Sequence, residues 1–179
     1  TTNDDQVKAL AAGRSDVAVL TETMTTDIDL SASKISSLTG LDINGVQPAI
    51  ISSVYDDFGS DIEFDHSDSG YFVLVDSEVV LPDTELTPTL SRDINVLAYD
   101  AEGIIKTNSS SVISTSQDDF SVDIEKLSER DRFVVGGYTN GEFANNTKKS
   151  TSGTDAFVSV YSTNTLDNDF VDIFHQFGT

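Results

Sequence analysis

The chain has 179 residues, with 31 acidic side chains against 10 basic ones and a formal charge of −21; this length holds one core, or a few small repeats that share one. So acidic a surface repels a nucleic-acid backbone, so no nucleic-acid partner is expected. The absence of cysteine excludes disulfides, thiolate catalysis and Cys-ligated zinc, and no apolar run approaches a membrane helix.

The acidic residues are mostly Asp, whose short side chain caps local backbone amides in turns. The simpler reading is a set of solvated loops on a β protein; the sharper one has some carboxylates holding Ca²⁺. The sequence opens on Thr1-Thr2-Asn3 without a signal peptide, as expected of a mature chain or one cut from something longer. Abundant Ser, Thr, Asn and Asp with few Lys points to an extracellular or cell-surface location.

In chain order, the segments with strand character are Val7–Ala12, Asp16–Thr23, Ala49–Tyr55, Asp61–Phe64, Tyr71–Val80, Ile94–Tyr99, Val112–Thr115, Phe120–Glu125, Arg132–Thr139, Ala156–Tyr161 and Phe170–Phe177. Each is a short run rich in Val, Ile, Phe or Tyr, bounded by Asp, Ser, Asn or Gly. Helical spacing is confined to Asp5–Ala12 and Ser121–Arg130, both short and rich in β-branched or turn residues. The predicted class is all-β. Short strands at regular spacing fit a sandwich, a barrel or a propeller.

A repeat test narrows the choice. Ala49–Tyr55 aligns with Asp93–Tyr99 and Asp155–Tyr161, with apolar residues in the second and sixth columns and Tyr in the last. Val17-Ala18-Val19-Leu20, Phe72-Val73-Leu74-Val75 and Phe133-Val134-Val135-Gly136 form a second class that precedes each. Phe72 to Tyr99 is 27 positions and Phe133 to Tyr161 is 28, whereas Val17 to Tyr55 is 38. This spacing predicts an insertion of about ten residues in the first copy, within Thr25–Gly45, where a surface loop tolerates length. Only 17 positions separate Tyr55 from Phe72, which predicts that this junction has lost a strand pair. The expected organisation is a first repeat over 1–60 with its Ser/Thr-rich insertion, a degenerate repeat over 61–117 and a third over 118–179.

Phe133-Val134-Val135-Gly136-Gly137-Tyr138-Thr139-Asn140-Gly141-Glu142-Phe143, then Gly153-Thr154-Asp155-Ala156-Phe157-Val158, then Gln176-Phe177-Gly178-Thr179 resemble the SBBP β-propeller repeat of bacterial surface proteins. That pattern is an apolar strand ending Gly-x-Thr-x-Gly-x-Phe, a loop, Asp-Ala-Phe-Val and a closing Phe-Gly-Thr. The likeness covers 118–179 and extends into 1–24, where Thr1-Thr2-Asn3-Asp4-Asp5 reads as the start of a further blade. The middle departs from it: Asp76-Ser77-Glu78 replaces Gly-x-Thr, and Asp93-Ile94-Asn95-Val96 replaces Asp-Ala-Phe-Val. The resemblance implies propeller-like four-stranded antiparallel blades, a surface location and no catalytic residues.

On the residues themselves, Gly136-Gly137 in a strand admits a close neighbour, and Asn140-Gly141 is a turn dipeptide. Phe143 and Phe157 suit packing between adjacent sheets. Gly136, Gly137, Gly141, Phe143, Asp155, Phe157 and Gly178 are therefore structural motif residues. A propeller closes with about four to eight blades, so three repeats should be completed by neighbouring copies or by further blades; an open fan leaves apolar faces and strand edges bare.

Chemistry-bearing candidates are few. Neither His66 nor His175 has metal-ligand spacing or a nucleophile partner. Asp65-His66-Ser67-Asp68-Ser69-Gly70 imitates half of a calcium loop, making Asp65 and Asp68 metal candidates; the simpler reading is a hairpin turn. Asn164–Asp169 is a similar acidic turn. The pairs Asp56-Asp57 and Asp118-Asp119 could act as general acid and base, but adjacent strand residues point to opposite faces. Asn108 and Asn145 begin glycosylation sequons that matter only in a host that uses them, and surface glycans are a conceivable partner. The expected function is a non-catalytic structural or adhesive protein: a self-assembling subunit of a surface filament, sheath or layer, forming a homo-oligomer or homopolymer, with calcium as the sole conceivable cofactor. The alternative is a ligand- or carbohydrate-binding β module of a larger secreted or viral protein; a secreted hydrolase ranks third.

Overall fold

A computed structural model of the chain describes residues 4–13, 16–24, 28–36, 49–51, 53, 55–65, 70–81, 88–106, 110–127, 132–143, 153–162 and 171–178. Among these there is no helix. The strands form three four-stranded antiparallel sheets, each a simple meander. Sheet 1 holds β1 (Asp4–Ala12), β2 (Asp16–Met24), β3 (Ile28–Ser36) and β4 (Ala49–Ile51). Sheet 2 holds β5 (Phe58–Phe64), β6 (Tyr71–Val79), β7 (Pro88–Tyr99) and β8 (Ser111–Ile113). Sheet 3 holds β9 (Asp119–Leu127), β10 (Arg132–Thr139), β11 (Asp155–Ser162) and β12 (Val171–Phe177). Both segments with helical spacing lie largely in strands, β1 and β9, consistent with their β-branched and turn-rich composition.

The sheets stack in succession. Strand β5 packs on β1, β2 and β3, and β9 packs on β5, β6 and β7. The first core, between sheets 1 and 2, includes Ala18, Leu20, Leu30, Ile51, Ile62, Phe64, Val73 and Leu97. The second, between sheets 2 and 3, includes Leu74, Ile94, Val96, Ile113, Ile124, Phe133, Phe157 and Tyr161. Sheet 2 is covered on both faces, which explains why β6 reads as a nearly continuous apolar run rather than an alternating one. Each fully buried Leu, Ile or Phe contributes roughly 1.5–3 kcal/mol.

Register defines the repeat more sharply than composition does. The first strand of every sheet carries one extra residue against the second strand: Lys8, Ser60 and Val122. Each bulge lies three positions after an Asp, namely Asp5, Asp57 or Asp119. The second and third strands pair Thr23 with Asp29, Ser77 with Asp93 and Thr139 with Asp155.

Three expectations about the repeat need correction. The third strand of sheet 1 is β3, inside the stretch assigned to an insertion. Its alternation, with Leu30 and Ala32 buried and Asp29, Ser31 and Ser33 half-buried, is a period-2 pattern hidden by its Ser content. Ala49–Ile51 is instead the fourth strand, and Tyr55 lies beyond it, outside any strand. Tyr55 therefore has no structural equivalence with Tyr99 in β7 and Tyr161 in β11. Finally, no sheet is abbreviated, since all three have four strands. Tyr71, rather than Phe72, matches Phe133: Tyr71 pairs with Tyr99 and Phe133 with Tyr161, 28 positions apart in both cases.

Candidate functional site

The unusual chemistry of this protein lies where one sheet meets the next. There the loop between sheets turns through a hydroxyl residue and, four positions on, an aspartate. Between sheets 1 and 2, the Ser53 amide donates to Asp57 Oδ2 (2.9 Å) and its hydroxyl to Oδ1 (3.2 Å). Between sheets 2 and 3, the Thr115 amide donates to Asp119 Oδ2 (2.6 Å) and its hydroxyl to Oδ1 (3.1 Å). The hydroxyl also accepts from the amide two residues on, from Tyr55 in one case and Gln117 in the other. Asp57 and Asp119 are completely buried.

The aspartate before each one reaches backwards. Asp56 Oδ1 accepts the Ile28 amide (3.2 Å) and Asp118 Oδ1 the Arg92 amide (3.0 Å); Ile28 and Arg92 immediately precede the paired Asp29 and Asp93. Thus the two Asp-Asp dipeptides do the same job at both junctions, one carboxylate tying down the previous sheet and the next anchoring its own loop. Each dipeptide stands at the entry to a first strand, β5 or β9, where it can reach both the previous sheet and its own loop.

Second-strand carboxylates complete the junctions. Glu22 Oε1 accepts the Gly59 amide (3.3 Å) while its Oε2 pairs with the Lys8 ammonium (3.1 Å). At the equivalent place Asp76 Oδ1 accepts the Ser121 amide (3.0 Å) and the Ser121 hydroxyl, which also meets Ser60 Oγ (2.6 Å). Asp61 Oδ2 accepts the Ile124 amide (3.0 Å). The Arg92 guanidinium lies over the Phe58 ring at 4.3 Å and the Phe120 ring at 5.4 Å, tying sheet 2 to sheet 3 by cation–π attraction. The acidic bias is therefore not confined to solvated loops: Asp57, Asp76, Asp93, Asp119 and Asp155 are all buried.

Burial is the dominant cause that raises the pKa of these carboxyls. It lifts Asp57 above the usual range, and Asp61, Asp76 and Asp119 to about 6; Asp61 is raised further by neighbouring Asp123. A carboxyl whose folded pKa exceeds its unfolded value of about 4 binds its proton more tightly when folded. Its stabilisation is fully present below about pH 4 and is lost as pH rises through about 6. Thermal unfolding should accordingly show a midpoint roughly 5–10 °C higher at pH 5 than at pH 8; a flat profile, or a midpoint that climbs with pH, would contradict these assignments.

The motif residues of the third repeat gather at one end of sheet 3. A Cβ on Gly137 would meet the Phe120 carbonyl and the Phe157 ring, and one on Gly178 would meet the Asp155 carboxylate. Gly141 stands against the Thr115 side chain and donates its amide to Thr139 Oγ1 (2.9 Å). Gln176 Nε2 donates to Asp155 Oδ2 (2.8 Å) and to the Gly141 carbonyl (2.9 Å). Phe143 meets Phe157 edge to face, centroids 5.4 Å apart. Gly136 departs from its expected role, because a Cβ there meets nothing within 4 Å; it faces away from sheet 2.

Asp65, one residue past β5, donates its amide to the Gly70 carbonyl (3.0 Å), closing the β5–β6 hairpin. Asp68, His66, the Asn108 and Asn145 sequons and the 164–169 turn lie outside the described residues. His175 is exposed beside Phe177. Among the described residues, no three His, Cys, Asp or Glu side chains converge as a metal-binding group, and no helix is long and apolar enough to cross a membrane.

These features define an all-β protein of three stacked four-stranded antiparallel sheets joined by repeated carboxylate clamps. No family model matches the chain, and no curated protein matches it either, so the resemblance to the SBBP repeat rests on the residues quoted for it.

Proposed function

We propose that this chain is a non-catalytic structural or adhesive protein of the cell exterior, whose sheets act as propeller-like blades in a self-associating filament, sheath or layer. One observation carries the reading. The stack ends on two faces that keep apolar residues in the open, Leu10 on sheet 1 and Val158 and Phe177 on sheet 3, at a molecular charge of −21. Apolar faces of this kind mark association surfaces, and the charge keeps the free subunit soluble until faces meet. The buried carboxylates of Asp57, Asp76 and Asp119 support the same reading, because they hold the loops and strands where one sheet meets the next. Negative-stain microscopy of the purified protein over a range of concentrations should reveal rings or fibres. Lone particles throughout, together with a constant molecular mass by light scattering, would exclude self-association.

A further inference from the structure

We propose that the chain assembles head to tail: the outer face of sheet 3 in one copy receives the outer face of sheet 1 in a second, by the arrangement that already joins sheet 1 to sheet 2 and sheet 2 to sheet 3. This inference rests on the self-association reading above and adds to it the partner, the two faces and their register.

The strand pairing fixes which positions correspond. Leu10, Ile62 and Ile124 stand opposite Val19, Val73 and Val135 in their respective sheets. Ile62 and Ile124 are each 1% exposed, covered by the preceding sheet, whereas Leu10, which no sheet among the described residues covers, is 63% exposed. The opposite end behaves in the same way. Ile51, Ile113 and Phe177 pair with Leu30, Ile94 and Ala156; the first two are 4% exposed under the following sheet and Phe177 is 53% exposed. Two residues along the third strand, Ala32 and Val96 are buried while Val158 is 36% exposed. The two ends of the stack are thus the two halves of one more junction.

The halves also match in size. At the first junction Gly59 lies against the Leu20 and Leu30 side chains, where a Cβ would come within 2.7 and 3.0 Å. The counterparts on sheet 3 are Gly136 and Ala156, both smaller, and the counterpart of Gly59 on sheet 1 is Val7, which is larger and exposed. A small second-strand residue facing a large first-strand one inverts the internal arrangement while conserving its volume, as close packing requires. Inversion on both partners at once is what selects a second copy of this chain as the occupant.

Polar groups follow suit. Asp4-Asp5 occupies the first-strand place of Asp56-Asp57 and Asp118-Asp119, and Thr154 the place of Ile28 and Arg92, whose amides those dipeptides capture. Asp123 holds the place of Asp61, and the Leu10 amide that of Ile124, its donor. Three elements differ: Tyr138 stands where Glu22 and Asp76 accept an amide, Val122 and Val7 stand where the Ser60 and Ser121 hydroxyls meet, and Thr154 replaces the Arg92 guanidinium, so these contacts are missing from the intermolecular junction. Because the two faces are different surfaces, the assembly is heterologous; it grows until it closes into a ring, or it stays open as a fibre.

Sedimentation velocity with two charge variants tests this. Leu10→Glu disables the sheet 1 face and Val158→Glu the sheet 3 face; both side chains are exposed in the single chain, and circular dichroism checks that each variant folds. Val7→Glu and Phe177→Glu serve as substitutes if either does not. The natural chain should sediment as a closed ring or a growing series, and each variant alone as a monomer, with association weakened by at least about 100-fold. A 1:1 mixture of the two should form a dimer that grows no further, because each variant retains the half its partner needs. A natural chain that stays monomeric overturns self-association and this inference together. A natural chain that assembles, with a mixture that stays monomeric or one variant that assembles normally, overturns only the head-to-tail arrangement and points to like faces pairing or to another surface.

Discussion

Gly137→Ala should cost the fold more than about 3 kcal/mol, while Gly136→Ala, one position away, should change stability by no more than about 0.5 kcal/mol. At Gly137 a methyl group would press on the Phe120 carbonyl, which is backbone and held in the β9–β10 ladder, and would lie 2.7 Å from the Phe157 ring, itself buried in the second core. Neither neighbour can step aside without disturbing the junction between sheets 2 and 3. At Gly136 the same methyl group would meet open space. Urea unfolding of both variants measures the contrast. Equal stabilities would mean that β9 does not approach β10 as closely as described.

Asp119→Ala should lower stability by about 3 kcal/mol, which for a chain of this size is a drop of roughly 6–12 °C in the unfolding midpoint. The carboxylate satisfies both the amide and the hydroxyl of Thr115 and takes a further hydrogen bond from Thr139. Removing it strands those donors in a place that water does not reach freely. Asp119→Asn keeps a carbonyl for the Thr115 amide and carries no charge to desolvate, so it should cost only about 1 kcal/mol and flatten part of the pH dependence above pH 5. A calorimetric pH series on both variants separates the hydrogen-bonding role from the charge. If alanine and asparagine behave alike, the clamp contributes nothing through its hydrogen bonds.

Much of the third sheet was legible from the sequence because glycines, aromatics and turn residues fall at positions where only they fit. Gly137, Gly141 and Gly178 each stand against another group of sheet 3 or of the loop that leads into it. The first sheet was harder. Among its described side chains strand β3 buries Leu30 and Ala32, small or aliphatic, between Ser and Asp residues, so its apolar alternation is faint and the stretch looks like a loop. Tyr55 misled in the opposite direction, since a Tyr after an apolar run resembles the strand end at Tyr99 and Tyr161. The dipeptides Asp56-Asp57 and Asp118-Asp119 were visible as pairs, yet the recurrence of Ser53 and Thr115 four positions before Asp57 and Asp119 is the signal that would have identified their role.

The order of residues determined that this is a β protein, that its strands come in recurring sets and that its surface is strongly acidic, because strand propensity, turn chemistry and charge are local properties. The stacking determined the rest. Which acids are buried, which glycine is crowded and which apolar residues lack a cover all depend on the sheet that lies opposite, and residues 61 and 63 positions apart in the chain meet only once the sheets are assembled.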